Sequence, residues 1–366
     1  MSLSLRQRIA LEINRSLTKE DIREHRLQAV FWESTLRCNL HCRHCGSDCK
    51  AAAAAPDMPF KDFSKVLESI SERYDPHTVL VIVSGGEPLM RRDLEYCGEQ
   101  MYLMGFPWGL VTNGYALTLE RFRNMVGSGL RAISVSIDGL EEDHDWMRGR
   151  QTSFRRASDA IRMICEHNAS VPEQFRLGFD AITCVNARNI SRLEELKEHL
   201  ISLGADAWRL FTIVPMGRAK DDPELQLTGD QVRQVMDFIV RTRKEGRIRC
   251  NYACEGFLGE YEGIARDRLF MCDAGVSVGS VLIDGSISAC TSIRSDYHQG
   301  NIYKDDFIDV WENRFQQYRD HGWMKTGECA SCRYWRYCRG SGMHLRNSDG
   351  SLIQCNLRKM EEAVRH

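Results

Sequence analysis

The chain is 366 residues long, 43% of them hydrophobic, and its 51 acidic and 49 basic side chains leave a net charge of −2. The length exceeds one typical domain, and the charge balance removes any electrostatic case for nucleic acid or an anionic membrane as partner. The opening MSLSLRQRIALE carries charge where a signal peptide needs an apolar core, and no later run approaches spanning length, so a cytoplasmic protein with no membrane span is expected.

Residues 1–28 alternate charged with apolar positions at helical spacing and read as an amphipathic helical extension. From residue 29, runs rich in valine and isoleucine alternate with helical patterns. Strands are predicted at 29–36, 78–84, 107–113, 130–138, 175–185 and 206–214, with helices near 60–73, 91–104, 117–127, 153–168 and 189–203. This is the pattern of an α/β fold, a partial (β/α)6 TIM-like barrel over 29–225. A connecting helix at 229–245 and a linker occupy 226–250, and a small loop-rich, cysteine-rich C-terminal domain follows over 251–366. In such barrels ligands gather at the C-terminal ends of the strands.

The chain holds 15 cysteines, which in a reducing compartment argue for metal or redox use where they cluster. Cys38, Cys42 and Cys45 follow C-x3-C-x2-C just after the first strand. A structural zinc wants four protein ligands, whereas a 4Fe–4S cluster held by three thiolates leaves one iron for a substrate. The spacing favours iron–sulfur over zinc, with Cys49 open as a fourth ligand and His41 or His44 as zinc ligands. Isolated Cys97, Cys165 and Cys184 read as core packing.

Cys38-x3-Cys42-x2-Cys45 resembles the signature of radical S-adenosylmethionine (SAM) enzymes, and further motifs match in order along the strand ends. Gly85-Gly86-Glu87-Pro88 resembles the family's GGEP, whose backbone and carboxylate receive the amino group of SAM. Thr112-Asn113-Gly114 resembles its TNG. Ser134, Ser136 and Asp138 lie on one face of the fourth strand, a polar row suited to a ribose or carboxylate. By resemblance, Ser136 and Arg148 hold the SAM carboxylate. Pro215-Met216-Gly217-Arg218 resembles the P-x-GR of members with a C-terminal cluster domain, and CGSDC at 45–49 resembles a lipoprotein-associated subgroup.

In the C-terminal part, Cys272 and Cys290, Cys329-x2-Cys332-x5-Cys338 and Cys355 resemble the SPASM domain, which holds one or two auxiliary 4Fe–4S clusters in peptide-modifying maturases. The resemblance assigns Cys329, Cys332, Cys338 and Cys355 to one auxiliary site. The other has Cys272 and Cys290 but Gly342 where the pattern wants cysteine, with Cys250 or Cys254 as possible substitutes. The family's activity is reductive SAM cleavage to a 5′-deoxyadenosyl radical that abstracts hydrogen. This implies oxidative modification or cross-linking of a peptide or protein, with an electron donor of flavodoxin or ferredoxin type. A tetrapyrrole substrate and a non-catalytic zinc scaffold are the alternatives. Asp180, on the fifth strand, is a candidate catalytic acid or base.

Overall fold

The computed structural model describes residues 3–53, 55–253 and 256–363. In chain order its elements are α1 (Leu5–Glu24), β1 (Ala29–Thr35), α2 (Phe60–Arg73), β2 (Leu80–Gly85), α3 (Leu94–Leu103), β3 (Trp108–Thr112), α4 (Leu119–Gly127), β4 (Leu130–Ser136), α5 (Glu141–Arg148), α6 (Ser153–Ser170), β5 (Gly178–Val185), α7 (Leu193–Ser202), β6 (Ala207–Thr212), α8 (Gly229–Glu245), β7 (Arg249–Tyr252), β8 (Val278–Val281), β9 (Ser286–Ser288), β10 (Gly300–Asn301), α9 (Phe307–Asn313), α10 (Gln316–Arg319), α11 (Trp335–Cys338) and α12 (Asn356–Ala363).

Strand alternation decides which side chains meet the helices. Val30 and Trp32 of β1, Val81 and Val83 of β2, and Trp208 and Leu210 of β6 join one apolar core with Phe63, Val66, Leu67 and Ile70 of α2. Trp32 stacks on Phe63 with ring centres 4.6 Å apart. Each such side chain stabilises by about 2 kcal/mol on burial. The residues between them, Glu33, Ser134, Asp180 and Arg209 among them, are left for the opposite, inner face of the curved sheet.

The six expected strands pair in parallel, β1 through β6, as a partial barrel. The sheet also continues past both edges in the order β10-β9-β8-β1-β2-β3-β4-β5-β6-β7. Residues 226–250 supply α8, with a Thr228–Gln231 capping box at its start, and the beginning of β7, which adds a seventh parallel strand beside β6. β8 pairs in parallel with β1 and turns back through β9. Covering the edge strands β1 and β6 satisfies backbone groups that would otherwise be open to foreign pairing. These added strands are only two to four residues long, too short for the sequence pattern to place them.

Candidate active site

The cysteine loop leaves β1 at Thr35 and is pinned on several sides. Cys38 N–H donates to the Lys50 carbonyl at 2.9 Å, while His41 N–H and Arg43 N–H donate to the carbonyls of Arg148 (3.2 Å) and Met147 (2.9 Å). Arg218 is a clamp: its Nε donates to the Cys42 carbonyl at 2.7 Å and its guanidinium pairs with Asp48 at 2.9 Å. The preceding Gly217, at φ 56°, lies so close that a Cβ there would come within 2.5 Å of the Cys45 carbonyl oxygen. The Pro215–Arg218 motif therefore seats the loop. Gly85 and Gly86 do the same at the end of β2, where Cβ atoms would come within 2.0 Å of the Thr35 oxygen and 2.4 Å of the Arg37 oxygen.

Cys38, Cys42 and Cys49 are buried together, with Cys45 packed against them. Burial pushes the Cys38 thiol up to about 12 and the Cys42 thiol up as well. A hydrogen bond from the Cys49 thiol is the main cause that draws Cys45 down to about 5, and that same bond and burial push Cys49 up. Cys49 thus stands as a partner of Cys45.

Behind the thiols lies a buried charge network. Arg148 pairs with Asp138 at 2.7 Å and donates to Cys42 Sγ at 3.6 Å. Burial opposes both charges, yet Arg148 holds the Asp138 carboxyl below its ordinary range, and Asp138 and Cys42 hold Arg148 charged. The 2.7 Å approach is off-axis, leaving Asp138 Oδ2 without a formal hydrogen bond; Arg148 Nε and His44 Nδ1 are likewise buried without a hydrogen-bond partner among the described residues. Asp138 Oδ1 accepts from Cys184 N–H, and the Asp138 N–H donates to His144 Nδ1, both at 2.9 Å.

Glu87 is wholly buried and largely used within the protein. One oxygen accepts from Thr112 Oγ1 (2.7 Å) and Leu89 N–H (3.0 Å), the other from Asn113 N–H (2.7 Å). Three of about four lone-pair positions are filled, so one remains. Pro88 opens the short turn Pro88–Met90 that this carboxylate caps. Asn113 Nδ2 donates to Asn39 Oδ1 at 2.8 Å and lies 4.0 Å from Cys38 Sγ. Ser134 donates to Asp180, whose other oxygen pairs with Arg209 at 2.7 Å. Ser136 is half-buried on the same face as Ser134.

Among the described residues, the one group of three candidate ligands drawn to within 4.8 Å of one another is His44, Asp138 and Cys184. Asp138 is already committed to the Arg148 cation, which disfavours a divalent ion there. Cys38, Cys42 and Cys45 do not close to that distance, whereas the thiolates of a tetrahedral zinc sit about 3.8 Å apart. Three thiols with Arg148 and Arg218 beside them suit a larger anionic cluster, and the unpartnered Arg148 Nε suits an anionic ligand next to it. Cys184, expected in the core, instead stands half-buried at this network.

In the C-terminal region Cys329 and Cys355 lie close enough to Cys338 to raise its thiol pKa, and Cys329 and Cys332 do the same to Cys355. Burial is the main cause that pushes Cys338 up to about 12 and Cys355 up to about 11. Arg346, fully buried, donates to Cys329 Sγ at 3.2 Å. Cys272 and Cys290 also lie near each other, and Cys272 accepts a hydrogen bond from the N–H of Met343, so the Gly342 segment runs beside it. Cys250 faces the barrel core, next to Arg243 and Lys197, and cannot replace the missing ligand. Cys254 lies outside the described residues. A cavity of about 370 Å³ between α1 and this region reaches Cys272 and Cys338. The contact of Arg346 with Cys329 escapes sequence reading, since an isolated loop arginine gives no signal of what it will touch, and the motif that marks Arg218 does not say that it meets the Cys42 carbonyl.

Comparison with known proteins points the same way. The family profile described as the Radical SAM superfamily matches residues 32–200, and SPASM, described as an iron-sulfur cluster-binding domain, matches 272–333. An AdoMet-dependent heme synthase of Methanosarcina barkeri is 27% identical over 347 residues, 89% of this chain and 94% of the relative. Mycofactocin maturase MftC of Mycobacterium tuberculosis is 28% identical over 326 residues, 86% of this chain and 78% of the relative. The crystal structures of Streptococcus suis SuiB bound to S-adenosylmethionine and to precursor peptide SuiA each align with a TM-score of 0.68 at 15% identity, over 93% and 94% of this chain and 80% of SuiB, a likeness of fold.

Proposed function

Because the chain is a radical SAM enzyme with a SPASM domain, we propose that it abstracts hydrogen from a peptide or protein and oxidises it. Cys38, Cys42 and Cys45 hold the 4Fe–4S cluster that binds SAM. When bound, that cluster supplies the electron that cleaves SAM to a 5′-deoxyadenosyl radical. The chain's own part is to bind and orient. Gly85 and Gly86 bring backbone close, and the remaining lone pair of Glu87 accepts from the SAM ammonium. Arg148, with Ser136, takes the SAM carboxylate. Ser134, Asp180 and Arg209 line the inner wall where substrate is positioned. Cys329, Cys332, Cys338 and Cys355 would hold an auxiliary cluster, which would supply a one-electron redox centre beside the barrel.

The observation that carries this reading is Arg148: one buried cation joins the cysteine loop to Asp138 and keeps an unsatisfied N–H beside it. The test is anaerobic SAM cleavage with the Cys38→Ala, Cys42→Ala, Cys45→Ala triple variant, which should lose 5′-deoxyadenosine formation and one cluster's iron while keeping auxiliary iron. Continued 5′-deoxyadenosine release would end the proposal. A second reading, a tetrapyrrole substrate, is supported by the heme synthase relative that aligns over 94% of its length. Turnover with iron coproporphyrin against a panel of peptides, read by mass change, separates the two.

A further inference from the structure

Helix α1 has two apolar faces. Leu11 and Thr18 turn inward and are buried, whereas Leu5, Ile9, Ile13 and Leu17 are 75%, 54%, 57% and 59% exposed. Spaced by four, these aliphatics form one continuous stripe of about 18 Å along the helix. Large aliphatics in such an array form a contiguous apolar patch, unlike the single exposed hydrophobics scattered over an ordinary surface. The Ser4–Gln7 capping box fixes the start of the helix, so the stripe is on a formed element.

We propose that this stripe is the contact between two copies of the chain, with the two α1 helices antiparallel about a twofold axis at Ile13. The stripe and its flanking charges are complementary to a second copy of themselves. With Ile13 on the axis, Ile9 of each helix meets Leu17 of the other, and Arg6 falls opposite Glu20 with Glu24 one turn away. Arg6 is exposed with no ion pair or hydrogen bond among the described residues, and Glu20 is held only by a surface pair with Arg23. A closed twofold contact needs this property, since each patch meets its own copy. One helix pair buries less than the roughly 1,200 Å² of stable interfaces, so the dimer is weak and concentration-dependent.

The test is sedimentation velocity on the anaerobically purified holoenzyme from low to high micromolar concentration. Wild type should shift from monomer to dimer, and Ile13→Glu should stay monomeric with unchanged circular dichroism and iron content. Arg6→Glu and Glu20→Arg should each weaken the dimer about tenfold, and the two together should restore it. A wild type monomeric throughout would overturn the proposal, as would a dimer that survives Ile13→Glu. Failure of the double variant to recover would overturn the antiparallel register. Binding of the stripe to phosphatidylglycerol vesicles in place of dimerisation would overturn it in favour of a membrane contact.

Discussion

Arg148 and Asp138 face each other at 2.7 Å with almost no solvent access, and the same guanidinium reaches Cys42. The end of β4 and the cysteine loop after β1 are therefore joined through one buried guanidinium carried by α5. Removing one partner of such a pair costs about 3–5 kcal/mol because the other charge stays buried. Arg148→Met is expected to lower stability to denaturant by that order and to weaken SAM binding, measured by equilibrium dialysis, by tenfold or more. Asp138→Asn should lose stability with a smaller effect on SAM. If Arg148→Met binds SAM normally, the carboxylate role falls.

Cys49 lies in the thiol cluster, but its bond to Cys45 gives it a supporting place. Cys49→Ser keeps a donor at that position. The expected outcome is unchanged iron content and a modest fall in SAM cleavage; loss of one cluster's iron would make Cys49 a ligand.

Much of this arrangement is legible in the residues. The apolar runs of β1, β2 and β4 and the cysteine, GGEP and TNG motifs announce themselves because strand period and loop chemistry are local. What stays hidden depends on long-range approach. The P-x-GR resemblance marks Gly217 and Arg218, but that the first lies against the Cys45 carbonyl and the second meets the Cys42 carbonyl appears only in the folded chain. Cys250 and Cys184 exchange their expected places because one faces the helices and the other the inner wall, a matter of strand register. The short β7, β8 and β9 carry too few residues to show a period.

Cys338→Ala and Cys250→Ala separate cluster ligand from core residue. The first should lose one auxiliary cluster's iron and sulfide. The second, buried between β7 and the helices, should keep all iron and lose about 1–2 kcal/mol of stability from its small cavity. Equal iron in both variants would remove Cys338 from the ligand set.

His144 makes stability depend on acid. It is buried, which pushes its pKa down to about 3, and its Nδ1 accepts from the Asp138 N–H, a bond that exists only while that nitrogen is unprotonated. The unfolded chain takes up a proton near pH 6.5 and the folded one does not, so stability is full above that pH and falls as pH drops toward 3. The slope from this residue approaches about 1.4 kcal/mol per pH unit. His144→Asn keeps an acceptor and should flatten the denaturation midpoint between pH 6.5 and 4; an unchanged slope would assign the acid sensitivity elsewhere.

Asp180 has both oxygens engaged, one by Ser134 and one by Arg209, on the inner wall of the barrel. Arg209 keeps a buried Nε without a hydrogen-bond partner among the described residues, and its side chain is 41% exposed. This arrangement suits Asp180 to orienting Arg209 toward substrate more than to accepting a proton. Asp180→Asn should then leave substrate-free SAM cleavage intact, because neither residue touches the cysteine loop. It should raise the KM for substrate several-fold with a smaller change in kcat, and Arg209→Gln should do the same. A fall in kcat at unchanged KM, with a new dependence on pH, would instead make Asp180 the proton acceptor.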